Sequence, residues 1–113
     1  MTTPVTYDDF AKLDIRVGTI TRAEPFPEAR KPAFKLWIDF GGDLGEKRSS
    51  AQITRHYTSD SLLGRQVMAV VNFAPRQIGK VLSEVLVLGV PDAEGQVILV
   101  TPDQSAPVGG RLF

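Results

Sequence analysis

The chain has 113 residues, 42% of them hydrophobic, and its 13 basic and 13 acidic side chains cancel. That length supports one domain over residues 1–113 around one modest core, and the neutral sum speaks against a dedicated nucleic-acid binder, which usually carries a basic excess. The absence of cysteine and a single histidine, His56, exclude disulfides, thiolate metal sites and a set of imidazole ligands, so no cofactor is expected.

The N-terminus MTTPVTYDDF lacks the basic and apolar regions of a signal peptide, and no apolar run approaches a membrane span. A cytoplasmic protein without membrane insertion is expected. Thr6 followed by Asp9 reads as a capping box, and Tyr7, Phe10, Ala11 and Leu13 share a helical face. This predicts a short N-terminal helix that lays aromatics on an apolar surface. Asp14 to Arg22 is rich in β-branched residues and reads as the first strand, with a bulge or bend at Gly18. The prolines and charges of Glu24 to Pro32 predict an exposed loop.

Phe34, Leu36, Ile38 and Phe40 alternate with Lys35, Trp37 and Asp39, the clearest period-two signal in the chain. The phenylalanine side faces the core, so Trp37 faces outward and needs cover, from the N-terminal helix over a strand edge or from a second subunit. Gly41, Gly42 and Gly45 mark a hairpin turn, and Lys47 to Ile53 returns as a strand. Ser59 caps one helical turn that Gly64 closes. Gln66 to Val71 is nearly continuously apolar and is predicted to be buried on both faces.

Asn72 to Leu82 interrupts the apolar pattern. Pro75 ends a strand and projects Gln77 to Lys80 as a rim loop, with Phe73 and Ile78 as an apolar floor and Arg76 and Lys80 as an electropositive edge. Ser83 to Leu88 and Gln96 to Val100 are predicted to pair across the turn residues of PDAEG. The tail TPDQSAPVGGRLF is ordered only by packing on something. Short strands, glycine bends and one small connecting helix predict an all-β, five-stranded barrel of the oligonucleotide-binding (OB) type.

No catalytic constellation emerges. Ser49 and Ser50 have only His56 as a conceivable base, no G-x-S-x-G elbow is present, and GGDLGEK lacks phosphate-loop spacing. An enzyme is not expected. Charge distribution is more informative than its sum. Lys47 to Lys80 holds six basic residues and one acidic residue, Asp60, whereas Val81 to Phe113 holds one basic and four acidic residues.

Several stretches together resemble a known family. Phe10 to Gly41 is similar to the opening of the tRNA-binding domains that occur as free-standing structure-specific tRNA-binding proteins and as appendages of methionyl-tRNA synthetases, and Val70 to Gly89 resembles their Asn, Pro and Ser segment. Within that superfamily, "KRSSAQITRHY", "PEARKPAFKLWIDFG" and "VTPDQSAPVGGRLF" resemble the CsaA family of bacterial secretion chaperones. The resemblance implies a homodimeric OB barrel with the N-terminal helix and C-terminal tail at the interface. It also implies chaperone activity toward unfolded preproteins, with the secretion motor ATPase as a partner, and it sets Asn72, Arg76, Lys80 and Ser83 where the family places polar contacts.

Two functions are weighed. As a chaperone, the barrel accepts extended unfolded segments in an apolar, basic-rimmed groove lined by Ala51, Ile53, Tyr57, Phe73, Pro75 and Ile78. As a tRNA binder, it uses the same face, with Arg48, Arg55, Arg76 and Lys80 on phosphates, joined by Asn72 and Ser83, and an aromatic stacking an unpaired base.

Overall fold

The computed structural model describes residues 3–27 and 30–113. The elements run α1 (Tyr7–Ala11), β1 (Ile15–Pro25), β2 (Phe34–Asp39), β3 (Glu46–Ala51), α2 (Ser59–Leu62), β4 (Gln66–Val70), β5 (Arg76–Ile78), β6 (Val81–Ser83), β7 (Leu86–Val87), β8 (Gly89–Pro91) and β9 (Val97–Leu99). Strands β3, β2, β1, β4 and β7 lie side by side in that order, all antiparallel, while β5–β6 and β8–β9 are separate hairpins. The sheet curls until β3 meets the segment after β6. There the Glu84 N–H donates to the Arg48 carbonyl at 2.8 Å and the Ser49 hydroxyl to the Val85 carbonyl at 2.9 Å. The result is a nearly closed five-stranded barrel of the OB type.

Period-two alternation places the core as expected. Leu36 and Ile38 are fully buried, with Phe34 and Phe40 beside them, and β1 contributes Ile20 and β4 Val67 and Ala69 to the same interior. Leu62 of α2 is also fully buried and joins this core, while Thr58, rather than Ser59, is the N-cap, in a capping box with Ser61. Alternate residues of β4, Met68 and Val70, join Ile15 and Val17 in a second cluster on the outer side of the sheet, so β4 is buried on both faces.

The C-terminal tail covers that second cluster. Gly109 N–H donates to Val17 O and Leu112 N–H to Ile15 O, both at 2.8 Å, so the tail pairs along the start of β1. Gln66 brackets the tail from the other side, accepting the Ala106 N–H and donating to its carbonyl. The packing surface that the tail requires is therefore its own barrel.

Several expectations shift. The register break in β1 lies between Ile20 and Arg22, not at Gly18; the glycine is needed for close approach instead, because a Cβ there would lie 2.5 Å from Ile38 Cγ2 and 2.7 Å from Phe40 Cε1. β1 continues to Pro25, which pairs with Phe34, because Pro25 closes a strand end where a missing N–H costs little. Trp37 sits on β2 between β1 and β3, not at an edge, and its cover is the Arg22 guanidinium, 4.5 Å from the ring centroid. The segment read as a rim loop is itself a hairpin: Ile78 pairs with Val81 across Gly79 and Lys80, and Gly79 takes the positive φ (58°) that primed hairpin turns use. Leu86 and Val87 pair with β4, so only Gly89–Pro91 and Val97–Leu99 form the last hairpin.

Candidate functional site

The β5–β6 hairpin stands off the barrel mouth and leaves a groove against the end of β3. In the hairpin Arg76 is opposite Ser83 and Ile78 opposite Val81, so strand alternation places Arg76, Ile78 and Ser83 on one face. That face, with Ser50, Gln52, Phe73, Ala74, Val85 and Leu86, encloses a groove of about 580 Å³. A second hollow of about 400 Å³ shares Ser50, Gln52, Arg76 and Ile78 and extends the groove under the β1–β2 connection, where Arg30 and Lys31 line it. Phe73 is 48% exposed at one end. Small side chains on β3 keep the floor low, since Ser49 turns inward and Ser50 outward.

The residues expected to bind peptide divide. Phe73 and Ile78 line the groove, and Pro75 is exposed just before β5. Ile53 is 2% exposed in the core, with Ala51 packed against that core. Tyr57 is committed as well: its hydroxyl accepts the Leu99 N–H at 3.0 Å and the Arg65 guanidinium lies 5.2 Å from its ring centroid.

The residues expected on nucleic acid divide in the same way. Arg76 and Ser83 line the groove, and Lys80 is exposed at the hairpin tip. The Asn72 carboxamide is spent on the backbone, accepting from Asp14 N–H at 2.9 Å and donating to Lys12 O at 2.8 Å. It ties the start of β1 to the exit of β4. Arg55 lies 3.9 Å from Glu94. Next to it, His56 and Asp92 are 2.7 Å apart, and this contact, with the Gln96 and Glu94 N–H groups, lowers the Asp92 carboxyl below the usual carboxylate range. Neither Arg55 nor His56 lines the groove.

Arg48 lines neither hollow and is held by Glu84, which lines the groove. One Glu84 oxygen accepts the Arg48 backbone N–H at 3.1 Å and its Nε at 3.4 Å, while the other lies 3.9 Å from Lys47 Nζ. The sequence reading did not include Arg30, Lys31, Gln52, Ala74, Glu84 or Leu86. Arg30 and Lys31 were legible only as adjacent cations in a proline-rich loop; which side of the barrel that loop overhangs depends on the length of β1.

The family model "Putative tRNA binding domain" matches residues 15–111. The solved structure of the chaperone CsaA from Bacillus anthracis str. Ames is 50% identical, with a TM-score of 0.90 over 98% of this chain and 100% of that one. A CsaA chaperone protein from Picrophilus torridus is 51% identical, with a TM-score of 0.90 over 97% of this chain and 100% of that one. A methionine–tRNA ligase from Flavobacterium johnsoniae is 36% identical over 108 residues, 96% of this chain but 15% of the ligase. The chain thus spans about 15% of the length of the curated relatives it matches.

Proposed function

This chain belongs to the tRNA-binding domain family, and from that premise we propose that it is a non-catalytic binding module, a homodimeric CsaA-like chaperone that takes extended segments of unfolded preproteins in the groove between β3 and the β5–β6 hairpin. The observation that carries this reading is the groove's mixed lining. Phe73, Ile78 and Leu86 offer apolar contact while Arg76, Arg30 and Lys31 supply positive charge. An unfolded segment loses ordering entropy on docking, so affinity is modest and selectivity broad. The likeness to CsaA chaperones along the whole chain supports the same conclusion. Such work belongs in the cytoplasm, upstream of the secretion motor ATPase. None of the helices among the described residues is long and apolar enough to cross a membrane.

Transfer RNA is the alternative ligand, favoured by the same cations. A salt series separates the two. Fluorescence titration with labelled tRNA is expected to give a log–log slope near −3 to −4 if about four phosphates are neutralised, whereas an unfolded neutral segment should bind with little salt dependence. Displacement of tRNA by the segment marks one shared groove. Retained tRNA binding with no binding of the segment would overturn the chaperone reading.

The dimer rests on a different face. Tyr7 (73% exposed), Leu13, Leu112 and Phe113 surround a hollow of about 360 Å³ between α1 and the tail, a patch of apolar surface that a lone barrel leaves wet. Sedimentation equilibrium at micromolar concentration is expected to return twice the 12.3 kDa chain mass; a monomer at all concentrations would remove the homodimer from the proposal.

A further inference from the structure

We propose that Glu84 sets the ligand preference of this groove by selecting against polyanions. The inference rests on the groove being the binding site. Glu84 lines it, with its side chain 25% exposed, and places a carboxylate in the groove wall. The same carboxylate engages Arg48 Nε at 3.4 Å and Lys47 Nζ at 3.9 Å, drawing two of the six cations of the basic middle third away from a ligand. One side chain therefore both adds a negative charge and withholds two positive ones. The position is fixed by backbone on both sides, since Glu84 N–H donates to Arg48 O and Glu84 Oε1 accepts Arg48 N–H. A charge held this close to the groove acts within a Debye length of anything bound in it. Apolar peptide contacts along Phe73, Ile78 and Leu86 are indifferent to it.

Glu84→Gln keeps an acceptor for the Arg48 N–H and removes the charge. Labelled tRNA should bind it about five- to tenfold more tightly at about 0.1 M salt, with a log–log slope steeper by about 1 to 2, as two freed cations reach phosphates. A neutral unfolded segment should bind as it does to the wild type, and Glu84→Asp should keep the wild-type slope. Lys47→Gln with Arg48→Gln completes a cycle: in the wild-type background it should leave the slope unchanged and lower affinity only through the uncompensated Glu84 charge, and in the Glu84→Gln background it should remove both the steeper slope and the gain. Unchanged tRNA affinity and slope in Glu84→Gln overturns the inference, as does equal tightening of the neutral segment. So does a slope flatter by about 1 to 2 in the Lys47 and Arg48 double variant alone, which decides the matter even if Glu84→Gln folds poorly. Arg76→Glu run in parallel keeps the two readings apart. If it leaves tRNA binding untouched, the groove assignment fails; if it weakens binding while Glu84→Gln matches the wild type, only the role of Glu84 fails.

Discussion

Gly18→Ala is expected to cost about 3 kcal/mol of stability, the upper end of what overpacking a filled core usually costs. The backbone conformation is not the reason, because Gly18 has an ordinary strand φ. The reason is contact. A Cβ at this position would stand 2.5 Å from Ile38 Cγ2 and 2.7 and 2.9 Å from two carbons of the Phe40 ring. Ile38 is fully buried and Phe40 is 1% exposed, so neither has open space to retreat into. The β1–β2 pairing must then open beside Ile38 and Phe40. In urea, with an m-value of about 1–3 kcal/mol per molar for a domain of this size, the midpoint should fall by roughly 1–3 M. Ile38→Leu deletes the Cγ2 methyl that makes the shortest contact. The double variant should therefore be less destabilised than the sum of the two single variants. A loss below about 0.5 kcal/mol in Gly18→Ala would show that the paired β1 and β2 leave room for a methyl group beside Ile38 and Phe40.

That glycine also marks the limit of what the chain revealed in one dimension. Its presence in a β-branched run signalled something unusual, and a bulge was the natural reading, yet the register break falls at the exposed Thr21 a few residues later. A glycine that bends a strand and one that admits a neighbouring side chain look the same until the adjacent strand is known. Period-two alternation on β2 and the apolar run of β4 were legible because burial itself writes the pattern. The β5–β6 hairpin was not. Its strands are three residues each and pair away from the main sheet, so neither face is uniformly buried.

The charge map shows the same limit from another side. The middle third carries an excess of five positive charges, and that excess was visible in the sequence. What was not visible is that the acidic final third folds back over it, with Glu84 taking Arg48 and Lys47 and Glu94 taking Arg55. Of the candidate contacts, Asn72 is lost in a similar way, because its two backbone bonds reach residues about sixty positions earlier in the chain. Arg76, Ile78 and Ser83 survive as a group since they share one short hairpin face, where local alternation alone brings them together.

Those survivors carry the second large effect. Arg76→Glu with Lys80→Glu should lower tRNA affinity about 100-fold at about 0.1 M salt and flatten the log–log slope by about 2, because two phosphate contacts are replaced by two repulsive charges. Both side chains are exposed on the hairpin, and neither makes an ion pair among the described residues. The fold has little to lose from the change, so thermal midpoint and sedimentation mass should match the wild type. Lys80 follows Gly79 in the hairpin turn and tolerates any residue with ordinary φ, while Arg76 keeps its backbone pairing with Ser83 whatever its side chain. The effect on peptides depends on their charge. A neutral apolar segment should bind nearly as before through Phe73, Ile78 and Leu86, and a basic segment should bind more tightly to the reversed rim. An unchanged tRNA affinity in a well-folded double variant would place the polyanion site elsewhere on the barrel. Loss of tRNA and neutral segment alike would mean that the hairpin itself, and not its charge, shapes the groove.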